Sequence, residues 1–151
     1  PELRPLLEAT LAAVSVPVIA AGGLATTDDV ARVMRDGAAG VRIGTRFIAA
    51  AESEAHPAWI AAVLDADADE SVVTHAFNAG MPVPGPHRVL RRSIEAARAL
   101  TGETEFPPTP PSRDATGDVD AMPFYAGRSV GAVSAVQPAA AIVAELGHAT
   151  Q

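Results

Sequence analysis

The chain has 151 residues, 48% of them hydrophobic and 19% charged, and no cysteine. That is enough apolar material for a packed core and rules out a chain disordered throughout; disulfides, thiolate metal sites and cysteine nucleophiles are excluded. Its 11 basic residues, all arginine, stand against 18 acidic ones for a formal charge of -7, so no general positive field gathers nucleic acid or an anionic membrane, and any phosphate must be held locally.

Glu2 to Val14 reads as an amphipathic helix with Leu3, Leu6, Leu7 and Leu11 on one face. It is already under way at Pro1, and we expect further chain upstream. The uncharged run from Ala9 to Thr27 is interrupted by Pro17 and Gly22-Gly23 and lacks a basic segment before it. A membrane span is therefore not expected, and the default compartment is the cytoplasm.

Val16-Pro17-Val18-Ile19-Ala20-Ala21 is β-branched and uncharged and stops at Gly22-Gly23, which predicts a buried strand. Thr26, Asp28 and Asp29 supply a cap and two carboxylates at the positive end of a following helix. Val30, Val33, Met34 and Ala38 mark its apolar face, and Gly37 sits at its C-terminal cap. Gly40 to Thr45 returns as a second short strand ending in Gly44-Thr45. The order strand, helix, strand is the unit of a parallel sheet.

Arg46 to Ala51 predicts a short helix whose first amides face the same mouth as Gly22-Gly23. Ser53 and Pro57 introduce another, with Trp59, Ile60, Val63 and Leu64 in its apolar stripe. The acidic tract Asp65 to Glu70 has no rigid ligand spacing and reads as a solvated turn, not a metal site. Ser71 to Phe77 predicts a strand, and Gly80 to Pro86 a loop. His87 to Thr101 predicts a helix ended by Gly102, with Leu90, Ile94 and Ala97 inward and Arg88, Arg91, Arg92 and Arg98 outward. Phe106 to Pro111 can be neither helix nor central strand, and with the polar run to Asp120 it reads as a linker or long surface loop. Met122 to Gly131 closes the chain, followed by a helix opened by Pro138 and closed by Gly147. The expected organisation is therefore βα units over residues 1–64, a strand, loop and helix extension over 65–105, a proline-rich linker or loop over 106–120, and a closing segment with a helix over 121–151.

A strand that ends in Gly-Gly before a helix lets backbone amides approach an anion, and the helix dipole adds positive potential. Two such ends side by side, Gly22-Gly23 and Gly44-Thr45, form a phosphate cradle of the kind found after the last two strands of a parallel β/α barrel. Gly-Gly after a strand also serves as a plain tight turn, and the glycines alone leave both readings open.

The fuller pattern, Val16 to Leu24, then Gly37-Ala38-Ala39-Gly40-Val41-Arg42-Ile43-Gly44-Thr45-Arg46-Phe47, then Glu52 to Pro57, resembles the C-terminal half of the nitronate monooxygenase family, once called 2-nitropropane dioxygenases. Tyr125-Ala126-Gly127-Arg128-Ser129-Val130-Gly131 and Gln137-Pro138-Ala139-Ala140 resemble that family's closing segment. The resemblance implies an α/β fold, the C-terminal part of an FMN-binding (β/α)8 TIM barrel, here its last two βα units plus a helical and loop extension. It implies FMN as cofactor, held at Gly22, Gly23, Arg42, Ile43, Gly44 and Thr45, and oxidation of alkyl nitronates by molecular oxygen. Arg42 stands where the family often has glutamine, so its backbone carries over better than its side chain. A flavin-dependent enoyl-thioester reductase of the same barrel type, or a truncated barrel half without catalysis, are the alternatives. The family's catalytic histidine belongs to earlier strands; His56, His75, His87 and His148 do not match it, and no catalytic residue or metal ligand is expected in this chain. A missing N-terminal barrel half, or self-association, is expected as the partner of the open strands.

Overall fold

The computed structural model describes residues 2–148. Its first part is α1 (Leu3–Ala13), β1 (Ile19–Ala21), α2 (Thr27–Arg35) and β2 (Gly40–Arg42). The two strands run parallel, pairing Ile19 with Gly40, Ala20 with Val41 and Ala21 with Arg42. Around them Leu7, Ala20, Leu24, Val33 and Ala38 form a buried cluster, with Leu3, Leu11 and Val18 packed on it. The contact stripe of α1 thus follows the steps of four from Leu3 to Leu7 to Leu11. Leu6, expected on the same face, lies off that stripe and is exposed.

The strand before Gly22 is shorter and less buried than its apolar run predicts, because Val16 and Ile19 remain 64% and 56% exposed. A β-branched run is buried only if something covers it. Here β2 is the one strand paired with β1 among the described residues, and the outer edge of β1 has no strand beside it.

The chain continues through α3 (Thr45–Ile48) and α4 (Pro57–Asp65). α3 stops early because Ala49 and Ala51 bond to Gln137 instead: Ala51 N–H donates to its carbonyl at 2.9 Å, and Gln137 N–H donates to the Ala49 carbonyl at 3.2 Å. His56 caps α4, its Nδ1 accepting from Ala58 N–H at 3.1 Å. A hairpin follows, β3 (Ser71–Thr74) antiparallel to β4 (His87–Leu90), and then α5 (Arg91–Thr101).

β4 corrects the expected helix start at His87. Leu90 N–H donates to the Phe124 carbonyl at 2.8 Å and Ala126 N–H to the Arg88 carbonyl at 3.2 Å. These four residues therefore lie between β3 and the closing segment, and extended backbone satisfies polar groups on both sides. The helix begins only at Arg91, and Gly102 ends it in the left-handed conformation, φ +71°, as its position predicts.

Phe106 to Pro111 contains no helix or strand, yet it is pinned. Phe106 is buried against Phe77, ring centroids 5.7 Å apart. Its N–H donates to Ala76 at 2.6 Å, and the Pro111 carbonyl accepts from His56 N–H at 3.1 Å. Prolines lack the donor but keep the acceptor. The acidic tract is likewise engaged, with Arg92 bridging Asp65 at 2.9 Å and Glu70 at 3.1 Å. The last helix, α6 (Ala139–Gly147), buries Ile142 and Leu146 against Val30 and Ala50. No helix among the described residues is long and apolar enough to cross a membrane.

The start of α2 is the best-defined local device. Thr26 accepts from Asp29 N–H at 3.1 Å, and Asp29 Oδ2 accepts from the Ala25 and Thr26 amides at 3.1 Å each. Burial opposes the charged Asp29 carboxylate, but these amides, the Thr26 side chain and Arg32 outweigh it and hold its pKa below the ordinary 3.8. A lowered pKa stabilises the fold above the unfolded value and loses that contribution as pH falls through the folded one. Thr26→Ala is expected to cost about 1 kcal/mol in urea unfolding at neutral pH. Asp29→Asn is expected to destabilise the chain at neutral pH, with the difference from wild type shrinking as pH falls below 3.8; a difference independent of pH would overturn this account.

Candidate functional site at the strand ends

Because β1 and β2 are parallel and end on the Ala21–Arg42 pair, Gly22-Gly23 and Ile43-Gly44-Thr45 leave the sheet at the same end. Gly22 has φ +106° and Gly23 φ +71°, backbone that a side chain rarely tolerates. Gly44, at φ -109°, is under no such strain. A Cβ placed on any of the three would meet no atom within 4 Å. Packing within this chain therefore does not require glycine at Gly44, and the space beside all three is free for a ligand.

The six residues singled out from the sequence divide in their surroundings. The Ile43 side chain packs in the apolar clusters beside Val41, so only its backbone faces the strand end. Arg42 is exposed and forms no ion pair among the described residues. The Thr45 hydroxyl opens α3 and accepts from Gly127 N–H at 2.9 Å, which leaves it a proton to donate. Gly22 and Gly23 line a cleft of about 490 Å³, whereas Gly44 lines a separate hollow of about 440 Å³ with Phe47, Trp59 and Pro110. The two glycine turns share a sheet end without sharing a cavity.

Three residues that the sequence did not mark for the site join Gly22-Gly23 in their cleft: Arg88, Gly127 and Arg128. Arg88 reaches it because it stands on β4, not on a helix face, and its Nη1 donates to the Ser71 carbonyl at 2.7 Å. Arg128 follows Gly127, which is tied to Thr45. The available signal was Gly127-Arg128 within the closing motif, more than 80 positions from Thr45. Arg32, also on the cleft, is paired to Asp29 at 2.7 Å.

Behind the turn lies Arg46, only 5% exposed. Its Nη2 donates to Gln137 Oε1 and to Glu145 Oε2, the latter at 3.3 Å, while Nη1 has no protein partner. It fastens α3, and with it Thr45, to α6. Tyr125 does not reach the glycines: its hydroxyl donates to Pro108 at 2.7 Å and its ring rests on His87. Burial pushes its phenol pKa up, so it stays protonated and serves packing. His87 bonds to Asn78 at 3.0 Å and His56 is a cap; no histidine lines the glycine cleft. Among the described residues no group of three or more His, Asp or Glu side chains could hold a metal. A larger hollow, about 830 Å³, lies between α5 and the 115–121 loop, lined by Asp118 and Asp120 and by no arginine. Its charge is of the wrong sign for a phosphate.

Two parallel strands joined by a helix and ending together in glycine turns are the βα units of an α/β barrel. The nitronate monooxygenase family profile matches residues 2–148, and the chain belongs to that family. A hydroxy-methyl-oxo-octahydro-indene-carboxyl-CoA dehydrogenase of Mycobacterium tuberculosis is 39% identical over 92 residues, 61% of this chain and 24% of that protein. The nitronate monooxygenase npaC of Metarhizium robertsii is 32% identical over 143 residues, 86% of this chain and 40% of the relative. Among solved structures, FabK of Thermotoga maritima superposes with a TM-score of 0.72 at 26% identity over 97% of this chain and 48% of its own. A nitroalkane oxidase of Streptomyces ansochromogenes gives 0.70 at 27% identity, over 98% and 44%. The chain spans less than half the length of each of these proteins, and its fold is a partial β/α barrel.

The glycines separate strain from space. Without ligand, Gly22→Ala is expected to lower stability by about 1–2 kcal/mol, because alanine resists positive φ. Gly44→Ala is expected to change it by less than about 0.5 kcal/mol, there being neither strain nor a clash. Urea unfolding of both variants checks this, and equal losses would contradict it.

Proposed function

We propose that this chain is the FMN-phosphate-holding, C-terminal part of a nitronate monooxygenase, with Gly22, Gly23, Arg42, Ile43, Gly44 and Thr45 as its cofactor contacts. The observation that carries the reading is Gly44, a glycine that neither backbone strain nor neighbouring atoms demand, at the same sheet end as two glycines in positive φ. Absence of a side chain there has a use if a ligand approaches the backbone. Thr45 adds a hydroxyl proton, and Gly127 N–H holds that hydroxyl in place. Family membership supports FMN as the ligand and an alkyl nitronate with oxygen as the reactants.

Bound FMN would supply the chemistry, accepting electrons from the nitronate and passing them to oxygen. The residues here would bind and orient it, through backbone amides at Gly22, Gly23 and Gly44 and through the Thr45 hydroxyl. The catalytic base is assigned to residues outside this chain, since no histidine lines the glycine cleft. The likeness to FabK, at a TM-score of 0.72, favours a second reading: a flavin-dependent reductase of enoyl thioesters on the same phosphate loops. Oxygen consumption with a nitronate, against NAD(P)H oxidation with an enoyl thioester, measured on a longer protein containing this segment, decides between them.

Two expectations test the reading at the level of this chain. In a longer protein that binds FMN, Gly44→Val is expected to weaken binding by about 1–3 kcal/mol through exclusion of the phosphate from the amides; unchanged affinity would show that the cradle is misplaced. The outer edge of β1, flanked by exposed Leu6, Val16 and Ile19, is expected to pair with a further barrel segment or with a second copy. The isolated chain should therefore show concentration-dependent sedimentation, and a monomer at all concentrations would argue against an edge that needs a partner.

A further inference from the structure

Resting on the FMN reading of these loops, we infer that Arg88 and Arg128 are the side-chain counter-charges of the phosphate held by the backbone at Gly22-Gly23 and Thr45. Backbone amides and a hydroxyl carry no net charge, whereas a phosphate monoester carries about -1.5 to -2 at neutral pH. In a chain of net charge -7 that charge must be met locally. The cleft against Gly22-Gly23 holds Arg32, Arg88 and Arg128 and a single carboxylate side chain, Glu2. Arg32 is spent on Asp29 at 2.7 Å. Arg88 and Arg128 form no ion pair with any described residue, and together they match the charge of the dianion.

Each is placed before a ligand arrives. Arg88 is half-buried on β4, and its Nη1 bond to the Ser71 carbonyl, 2.7 Å, orients the guanidinium while leaving Nε and Nη2 free to donate. Arg128 is exposed and adjoins Gly127, whose N–H is bound to Thr45 Oγ1, so the turn that offers the hydroxyl also fixes where this cation starts. A planar guanidinium fork matches phosphate oxygens in pairs. Both residues come from the part of the chain beyond the two βα units, which assigns that extension a direct share in binding.

The test is flavin titration by fluorescence of a longer protein that contains this segment, comparing FMN with riboflavin, which lacks the phosphate. Wild type is expected to prefer FMN. R128Q and R88Q should each lose about ten- to hundredfold in FMN affinity with riboflavin affinity unchanged, and the FMN affinity of R128Q should depend less on salt. R91Q, which removes an exposed arginine of α5 away from the cleft, should leave both affinities as they are. R128Q is the decisive variant, since Arg128 is exposed and its side chain forms no ion pair among the described residues. FMN preference that survives R128Q and R88Q but is lost in G44V overturns this inference alone. Loss of both ligands to the same degree in R128Q also overturns it. A wild-type longer protein that does not distinguish FMN from riboflavin, or binds neither, overturns the phosphate reading and this inference with it.

Discussion

The parallel pairing of β1 with β2 is the constraint on which the rest depends. Only in a parallel pair do two successive strands deliver their ends to one side of a sheet, and this is what brings the turns after Ala21 and Arg42 to the same end. α2 is the crossover that parallel pairing requires, and its capping box at Thr26 and Asp29 sets where it starts, with the N-cap Thr26 three residues beyond Gly23. A strand pair of three residues each is a small structure to carry such a role. It is held by α1 on one flank, through Leu7, and through α2 by α6, whose Ile142 and Leu146 pack against Val30.

The second half of the chain is built onto that frame by backbone hydrogen bonds more than by helix packing. Tyr125 to Gly127 runs beside β4, which itself runs beside β3, and Gly127 then reaches Thr45 at 2.9 Å. One continuous path of hydrogen bonds thus joins the β3–β4 hairpin to the turn after β2. Arg46 adds a second fastening through Gln137 and Glu145. The orphaned Nη1 of this buried guanidinium carries a cost, offset by the charged and polar partners of Nη2. The result is a Gly44-Thr45 turn clamped from two sides by residues more than 80 positions away.

Apolar surface stays open near β1. A parallel strand is normally covered on both edges and both faces; among the described residues β1 pairs with β2 alone, and Val16 and Ile19 are exposed. The chain matches less than half of each of these related proteins. In a chain of net charge -7, Arg88 and Arg128, which form no ion pair among the described residues, line the glycine cleft.

Much of this was legible in the chain itself. Val18 to Gly23, Thr26 with Asp29, Gly37, His56 before Pro57, and Gly102 each carry a local instruction, through β-branching, capping or positive φ, and each acts within a few residues. The family pattern across Gly22-Gly23 and Gly44-Thr45 was readable for the same reason, since the turns are short and contiguous. What could not be read depends on partners distant in sequence. His87 to Leu90 has the spacing of a helix start and becomes a strand because Ser71 to Thr74 and Phe124 to Ala126 flank it. Phe106 to Pro111 looks free until Phe77 and His56 claim it. Arg88 was assigned to a solvated helix face and instead stands in the glycine cleft. The sequence by itself determined the two glycine turns and the helices between and after them, because caps, breakers and apolar spacing are local. Tertiary structure alone decided which cations and which hydrogen-bond donors surround those turns, because that depends on which distant backbone satisfies each unpaired amide and carbonyl.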